Sequence, residues 1–248
     1  MVLPSNVRRG LSFIVLVLFL SCSQPSHENT NVDHLKTGLD YYKSLNYSKA
    51  LPELLLASQE DPDNIRVHYL LGLIYKKTNK TQAAIREFEG VISLDENDAQ
   101  AYLTLAKLYE KAGRYDQALA SVMEASRLDP KISGIHHVLG LVYLDQGKYD
   151  ESLKELAQAA EGKQDLGWVY NNMGLAYIVK AQYKEATVIL KKSLRAYPDN
   201  PFAHNNLGIA YEHLNASQEA AKEYSLALKL DPQYKKAADN LERVNQKK

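Results

Sequence analysis

Apolar residues recur along this chain at helical spacing in paired runs, and each pair returns after 34 residues. Leu70, Leu71, Ile74 and Tyr75 form one first run, and Leu207, Ala210 and Tyr211 another. Ala84, Ile85, Phe88, Val91 and Ile92, or Ala118, Leu119, Val122 and Ala125, form second runs. Polar or glycine turn residues such as Asn79, Gly113, Gly147 and Asn215 separate the two runs. Each pair therefore predicts two antiparallel helices. The register is marked by a small residue followed three places later by tyrosine: Gly38/Tyr41, Gly72/Tyr75, Ala106/Tyr109, Gly140/Tyr143, Gly174/Tyr177 and Gly208/Tyr211. Self-similarity at a fixed period means that one helical unit stacks on copies of itself, each burying a face it could not bury alone. The expected fold class is all-α, an α-solenoid with an elongated binding surface. Its six repeats run over 31–64, 65–98, 99–132, 133–166, 167–200 and 201–234.

Local signals refine the boundaries. Ser48, Thr81, Asp116, Asp150 and Ser217 are expected to cap second helices, because their side-chain oxygens can accept from free first-turn amides. Pro62, Pro130, Pro198 and Pro232 close their repeats, since proline cannot continue a helix. Asn200-Pro201 places a cap before a proline at the first helical position. Residues 235–248 begin a further first helix with Ala237, Ala238, Leu241 and Val244 facing inward, which predicts a solvating helix over the last repeat. Between repeats four and five the closing Asp-Pro is missing, and Gly162 and Gly167 predict a hinge there.

This pattern resembles the tetratricopeptide repeat, W-x2-L-G-x2-Y…A-x3-F…P over 34 residues, along 31–234. Gly or Ala, Tyr, and a second-helix Ala or Ser (Ala50, Ala84, Ala118, Ser152, Ala186, Ala220) fill their columns in every repeat. The chain departs with His or Tyr in the Trp column, Thr37 in the Leu column, and Glu96 and Gln164 for the closing proline. The resemblance implies that first-helix positions line an inner groove that binds a peptide. Those columns hold Leu141 and Leu144 in repeat four, and Trp168, Asn171, Asn172, Leu175 and Ile178 in repeat five. Phe202, Asn205, Asn206 and Ile209 follow in repeat six. Apolar anchors would supply desolvation there, and asparagine amides would pair with a peptide backbone. In the N-terminal half the same columns give a basic set: Lys43, Arg66, Lys76, Lys77, Lys107 and Lys111. Leu39, Leu73 and Lys107 stand where a clamp asparagine for a terminal carboxylate would be sought, so that specificity is not expected.

The N-terminus carries a different signal. Arg8 and Arg9 precede an apolar run from Leu11 to Leu20, long enough for an export signal and too short to span a bilayer. Ser21-Cys22 follows, and Cys22 is the only cysteine. The segment resembles a bacterial lipoprotein signal. It implies a signal peptide over 1–21, lipidation of Cys22 and a flexible tether over 22–30. Several acyl chains at one terminus would hold the protein on the membrane without spanning it. The expected place is the bacterial envelope, at the outer membrane facing the periplasm.

Formal net charge is zero, and without the first 21 residues there remain 28 basic against 30 acidic side chains. Nucleic-acid binding is therefore not expected, because phosphate binding needs a basic excess. His34, His68, His136 and His204 share one column, which points between the two helices of a repeat and predicts packing imidazoles with one hydrogen bond each to find. No protease, hydrolase-elbow or phosphate-loop motif occurs, so neither catalysis nor a metal or cofactor is expected. The sequons at Asn46, Asn79 and Asn215 read as turn chemistry. A lipidated N-terminus, a tether and six repeats together are similar to the pilotin lipoproteins of type IV pilus systems. That likeness implies an assembly scaffold or chaperone whose partner is a secretin or another envelope-assembly component. The alternative is a periplasmic adaptor that recruits a cell-wall hydrolase or protease.

Overall fold

A computed structural model describes residues 33–163 and 165–246. The expected signal segment, Cys22 and the expected tether lie outside the described residues. Among the described residues the chain is helical throughout, in six antiparallel pairs followed by one further helix. The first helices are α1 (His34–Lys43), α3 (Ile65–Lys77), α5 (Ala99–Lys111), α7 (Ile135–Asp145), α9 (Leu166–Val179) and α11 (Pro201–His213). Their partners are α2 (Tyr47–Glu60), α4 (Thr81–Leu94), α6 (Tyr115–Leu128), α8 (Tyr149–Glu161), α10 (Tyr183–Ala196) and α12 (Ser217–Leu230). The last helix is α13 (Lys235–Gln246). Each first helix packs on its own second helix, and each second helix packs on the next first helix. First helices also pack on one another, α5 on α7 and α9 on α11 among them, so they form the inner wall of the stack.

The small residue of each repeat faces the large residue of its second helix. A Cβ built on Gly38, Gly140 or Gly174 would meet the Leu54, Leu156 or Leu190 side chain at 2.7, 2.6 or 2.5 Å. On Gly72 or Gly208 it would meet the ring of Phe88 or Tyr224 at 2.8 or 2.6 Å. All five large residues are fully buried. Repeat three has Ala106 in the small column and the shorter Val122 in the large one, both buried in one cluster. The two columns thus conserve volume between them, as a close-packed interior requires.

Helix entry differs from the expectation for second helices. Before each one the chain reverses through a left-handed residue: Leu45, Asn79, Gly113, Gly147, Ala181 and Asn215. The residue after it caps the helix with its backbone carbonyl, and of these only Asn46 adds its side chain, accepting from the Lys49 amide. Ser48, Thr81, Asp116, Asp150 and Ser217 therefore stand inside the first turn and are not the caps. The Lys80, Arg114 and Lys148 cap positions instead place a cation over the repeat tyrosine, at 5.9, 4.6 and 5.7 Å from the rings of Tyr75, Tyr109 and Tyr143. First helices are capped by side chains at Asp33, Asn64, Asp98 and Asn200, whereas α7 and α9 have none. At the junction singled out between repeats four and five, Lys163 and Asp165 both adopt left-handed backbone, φ 56° and 48°. α13 packs on α12 and α11, burying Ala237 and Val244. Ala238, expected to face inward, is exposed.

Candidate partner-binding groove

The histidine column has a specific counterpart. His34, His68, His136 and His204 place Nδ1 at 2.7, 2.8, 2.8 and 2.6 Å from a carboxylate oxygen of Glu53, Glu87, Glu155 and Glu223, always 19 residues on. His68 and His204 also place Nε2 at 2.9 and 3.1 Å from the carbonyls of Pro62 and Pro198, so each ring ties the second helix to the turn that opens the repeat. Repeats three and five hold Tyr102 and Tyr170 instead, with Ser121 and Ile189 in the glutamate column. The sequence contains that covariation between its own repeats, and the expected single hydrogen bond did not use it. No group of three or more metal-ligating side chains converges among the described residues.

On the inner wall of repeats five and six, Trp168, Asn171, Leu175, Phe202, Asn205, Asn206 and Ile209 line one hollow of about 650 Å³, joined by Tyr234, Lys235 and Lys236. Leu141, Leu144, Asn172 and Ile178 belong to the same columns and lie outside this lining. Four aromatic rings run along the edge. Trp168 lies 6.2 Å from Tyr197 and 5.8 Å from Phe202, and Phe202 lies 5.1 Å from Tyr234. Trp168 and Phe202 are each 40% exposed, an apolar ledge open to solvent. Tyr197 and Tyr234 were not found from sequence, because each stands at a repeat boundary, outside the first-helix columns.

The asparagines are not free to meet a ligand as expected. Asn171, Asn205 and Asn206 are only 5%, 2% and 8% exposed. Asn206 donates to Asn171 at 3.0 Å, Asn240 donates to Asn205 at 2.9 Å, and Asn172 lies 3.2 Å from Nε2 of His137. Each rung joins one first helix to the next, 35 residues away. Asn171 also donates to Asn172 at 3.4 Å, linking two rungs. Buried amides must find partners, and here the neighbouring repeat supplies them. The floor of the hollow is thus a ladder between repeats, and the exposed contact area is aromatic.

A second hollow of about 950 Å³ opens between α3, α5 and α7. Lys76, Lys77, Lys107 and Lys111 line it with Leu73, Leu108 and the carboxyls of Glu110 and Asp145. Burial first, then the neighbouring and hydrogen-bonded Asp145, push the Glu110 carboxyl up to about 7. Burial, then Lys107 and Lys77, push the Lys76 ammonium down. Lys43 and Arg66, from the same basic set, lie outside this hollow.

Comparison with known proteins agrees with this geometry. Family models of the tetratricopeptide repeat match residues 77–136, 133–163 and 171–235, together more than half of the chain. The chain belongs to the tetratricopeptide repeat proteins, whose fold is that of protein-interaction scaffolds. Among solved structures it is similar to PilF of Pseudomonas aeruginosa, with 18% identity over 87% of this chain and 96% of that one and a TM-score of 0.68. It is also similar to PilW, described as a widely conserved type IV pilus biogenesis factor, with 15% identity over 84% of this chain and 96% of that one and a TM-score of 0.71. The Cut9–Hcn1 hetero-tetramer of APC/C matches with 18% identity over 85% of this chain and a TM-score of 0.74, and there this chain spans 42% of the matched chain. No curated protein matches it in sequence.

Proposed function

We propose that this protein is a non-enzymatic scaffold or assembly chaperone, held on the bacterial outer membrane by lipid on Cys22, that docks a secretin or another pilus-assembly component on repeats five and six. The observation that carries the docking site is the aromatic ledge: Trp168 and Phe202 stand 40% exposed, side by side, over a floor whose amides are already paired. Large exposed rings on a rigid floor are the usual anchors of protein recognition. The structural likeness to PilF and PilW supports the pilus setting, and the Ser21-Cys22 signal supports the anchor.

The test is photocrosslinking in cells with a photoreactive residue at Trp168, followed by identification of the captured chain. A secretin or pilus component is expected, and Trp168→Ala with Phe202→Ala should lower its co-purification at least about tenfold. Capture of a peptidoglycan hydrolase or protease would replace this reading with the adaptor role. Cys22→Ser should release the protein from the membrane fraction, and its retention there would refute the lipid anchor.

A further inference from the structure

α10 packs on α9 and α11 and buries Ala186, Leu190 and Ser193 against them. On its opposite face Lys184, Val188, Lys191, Lys192 and Arg195 recur at helical spacing, and all five are exposed. First helices form the inner wall of the stack, so this stripe lies on the outer side of the repeat that carries Trp168 on its inner side. Among the described residues the ion pairs use His34, His68, Arg127, His136, Lys180, His204 and Arg243 as cations, and none of these four. Lys191 and Lys192 lie 5.4 and 5.9 Å from the rings of Tyr211 and Tyr170, which spreads their charges sideways over α11 and α9.

The other second helices carry at most two cations in these five columns. Two of those neighbours extend the stripe: Lys154 of α8 and Lys222 of α12 share the column of Val188, Lys229 of α12 shares that of Arg195, and all three are exposed. Repeat five as a whole has five cations against the carboxylates Glu185 and Asp199, in a chain with no net charge.

We infer that the outer face of α10 rests on an anionic phospholipid surface. A plane of headgroups meets every charge of a convex helix face at once, whereas a protein must supply a matched acid for each. The stripe has one apolar residue, Val188 at 56% exposed, and no aromatic anchor, while protein interfaces are built on aromatic side chains and depleted of lysine. Lysine is a compact, hydrated charge suited to diffuse attraction by headgroups. The setting rests on the lipid anchor proposed above: lipid on Cys22 brings the repeats to a membrane, and α10 selects the side that faces it. Trp168 and Phe202 are then left on the far side of repeats five and six, open to a partner.

The test uses the full chain with Cys22→Ser, which removes the acyl chains and so separates this contact from the anchor. Its co-sedimentation is measured with phosphatidylcholine vesicles, with and without phosphatidylglycerol. Binding should be at least about tenfold stronger with phosphatidylglycerol, and about 0.5 M salt should release it. Lys184→Gln, Lys191→Gln, Lys192→Gln and Arg195→Gln together should weaken it at least about tenfold, because each cation near such a surface contributes roughly fivefold. Lys184→Arg, Lys191→Arg and Lys192→Arg together should retain it. Lys36→Gln, Lys43→Gln, Arg66→Gln and Arg86→Gln, on repeats one and two, should change it less than about twofold. Both sets of four are exposed, and unchanged helical circular dichroism would show that the variants fold. Residues 1–32 are the same in every variant, so their contribution cancels. Equal effects of the two sets, or equal binding to the two kinds of vesicle, would overturn the inference. Self-association lost in the α10 variant, without vesicle binding, would also overturn it and assign the face to a second copy. In cells a salt wash strips the α10 contact and leaves an acyl anchor in place, so release of the Cys22→Ser chain is read after that wash. A Cys22→Ser chain that binds vesicles through α10 supports the inference even where Cys22 proves to carry no lipid.

Discussion

Gly174 stands where its missing side chain is filled by another residue: the Leu190 methyls occupy the space a Cβ would need, at 2.5 Å. Leu190 is fully buried and has no slack in which to move. Repeat three shows the chain's own solution, since Ala106 there is opposed by Val122. Gly174→Ala should therefore cost about 1–3 kcal/mol by overpacking, and Leu190→Val about 0.5–1.5 kcal/mol by leaving a gap. Combined, the two should be more stable than Gly174→Ala alone, because each repairs the other. Urea midpoints of the three variants measure this, and simple addition of the two losses would refute the volume argument. Such columns were legible in the sequence because one contact is repeated at every turn of the stack. The histidine–glutamate pairs were legible on the same terms, but only when both columns are compared across repeats.

The first helices of repeats four to six are joined at the element scale by polar rungs where earlier repeats have apolar ones. The positions of Asn171 and Asn206 are occupied by Leu35 and Leu70 between repeats one and two and by Leu103 and Val138 between repeats three and four, with Tyr69 and Thr104 between two and three. Asn206 is 8% exposed and donates to Asn171, so Asn206→Leu removes the donor and leaves a buried acceptor short of a partner. A loss of about 1–3 kcal/mol is expected, confined to α9–α13. Hydrogen exchange read helix by helix would show it, and an equal loss of protection in α1–α4 would refute a local role. This ladder was not legible, although each of its asparagines is plain in the sequence. An amide on an inner wall has the same identity whether it faces a ligand or the next repeat, and only the 35-residue offset of a folded stack decides. The turns before second helices were misread for a related reason. A left-handed residue such as Leu45 or Ala181 carries no chemical mark of its conformation, so the cap falls earlier than the serine, threonine or aspartate that resembles one.

In a solenoid each repeat holds only its neighbours, so the behaviour of the whole depends on its weakest interface. That interface is expected between α8 and α9. Lys163 and Asp165 hold left-handed backbone there without glycine, which costs about 1 kcal/mol or more at each residue. The helix that follows begins with no side-chain cap, unlike α3, α5 and α11. Apolar packing of Leu156 on Val169 and Met173 crosses the junction as at the others, and the polar bridges are the contact of Asn172 with His137 and the ion pair of Lys180 with Asp150, whose carboxylate is largely exposed. An exposed pair contributes little. Amides from 161 to 168 should therefore exchange at least about fivefold faster than those of the capped junctions at 60–66 and 94–100. Unfolding in urea should separate into a step for α9–α13 and a step for α1–α8. Because the aromatic ledge lies on one side of this junction and the basic hollow on the other, bending there would change the distance between the two. Equal exchange at all three junctions, with a single cooperative transition, would mean that the inner wall is one rigid surface and that any partner touching both regions meets them at a fixed spacing.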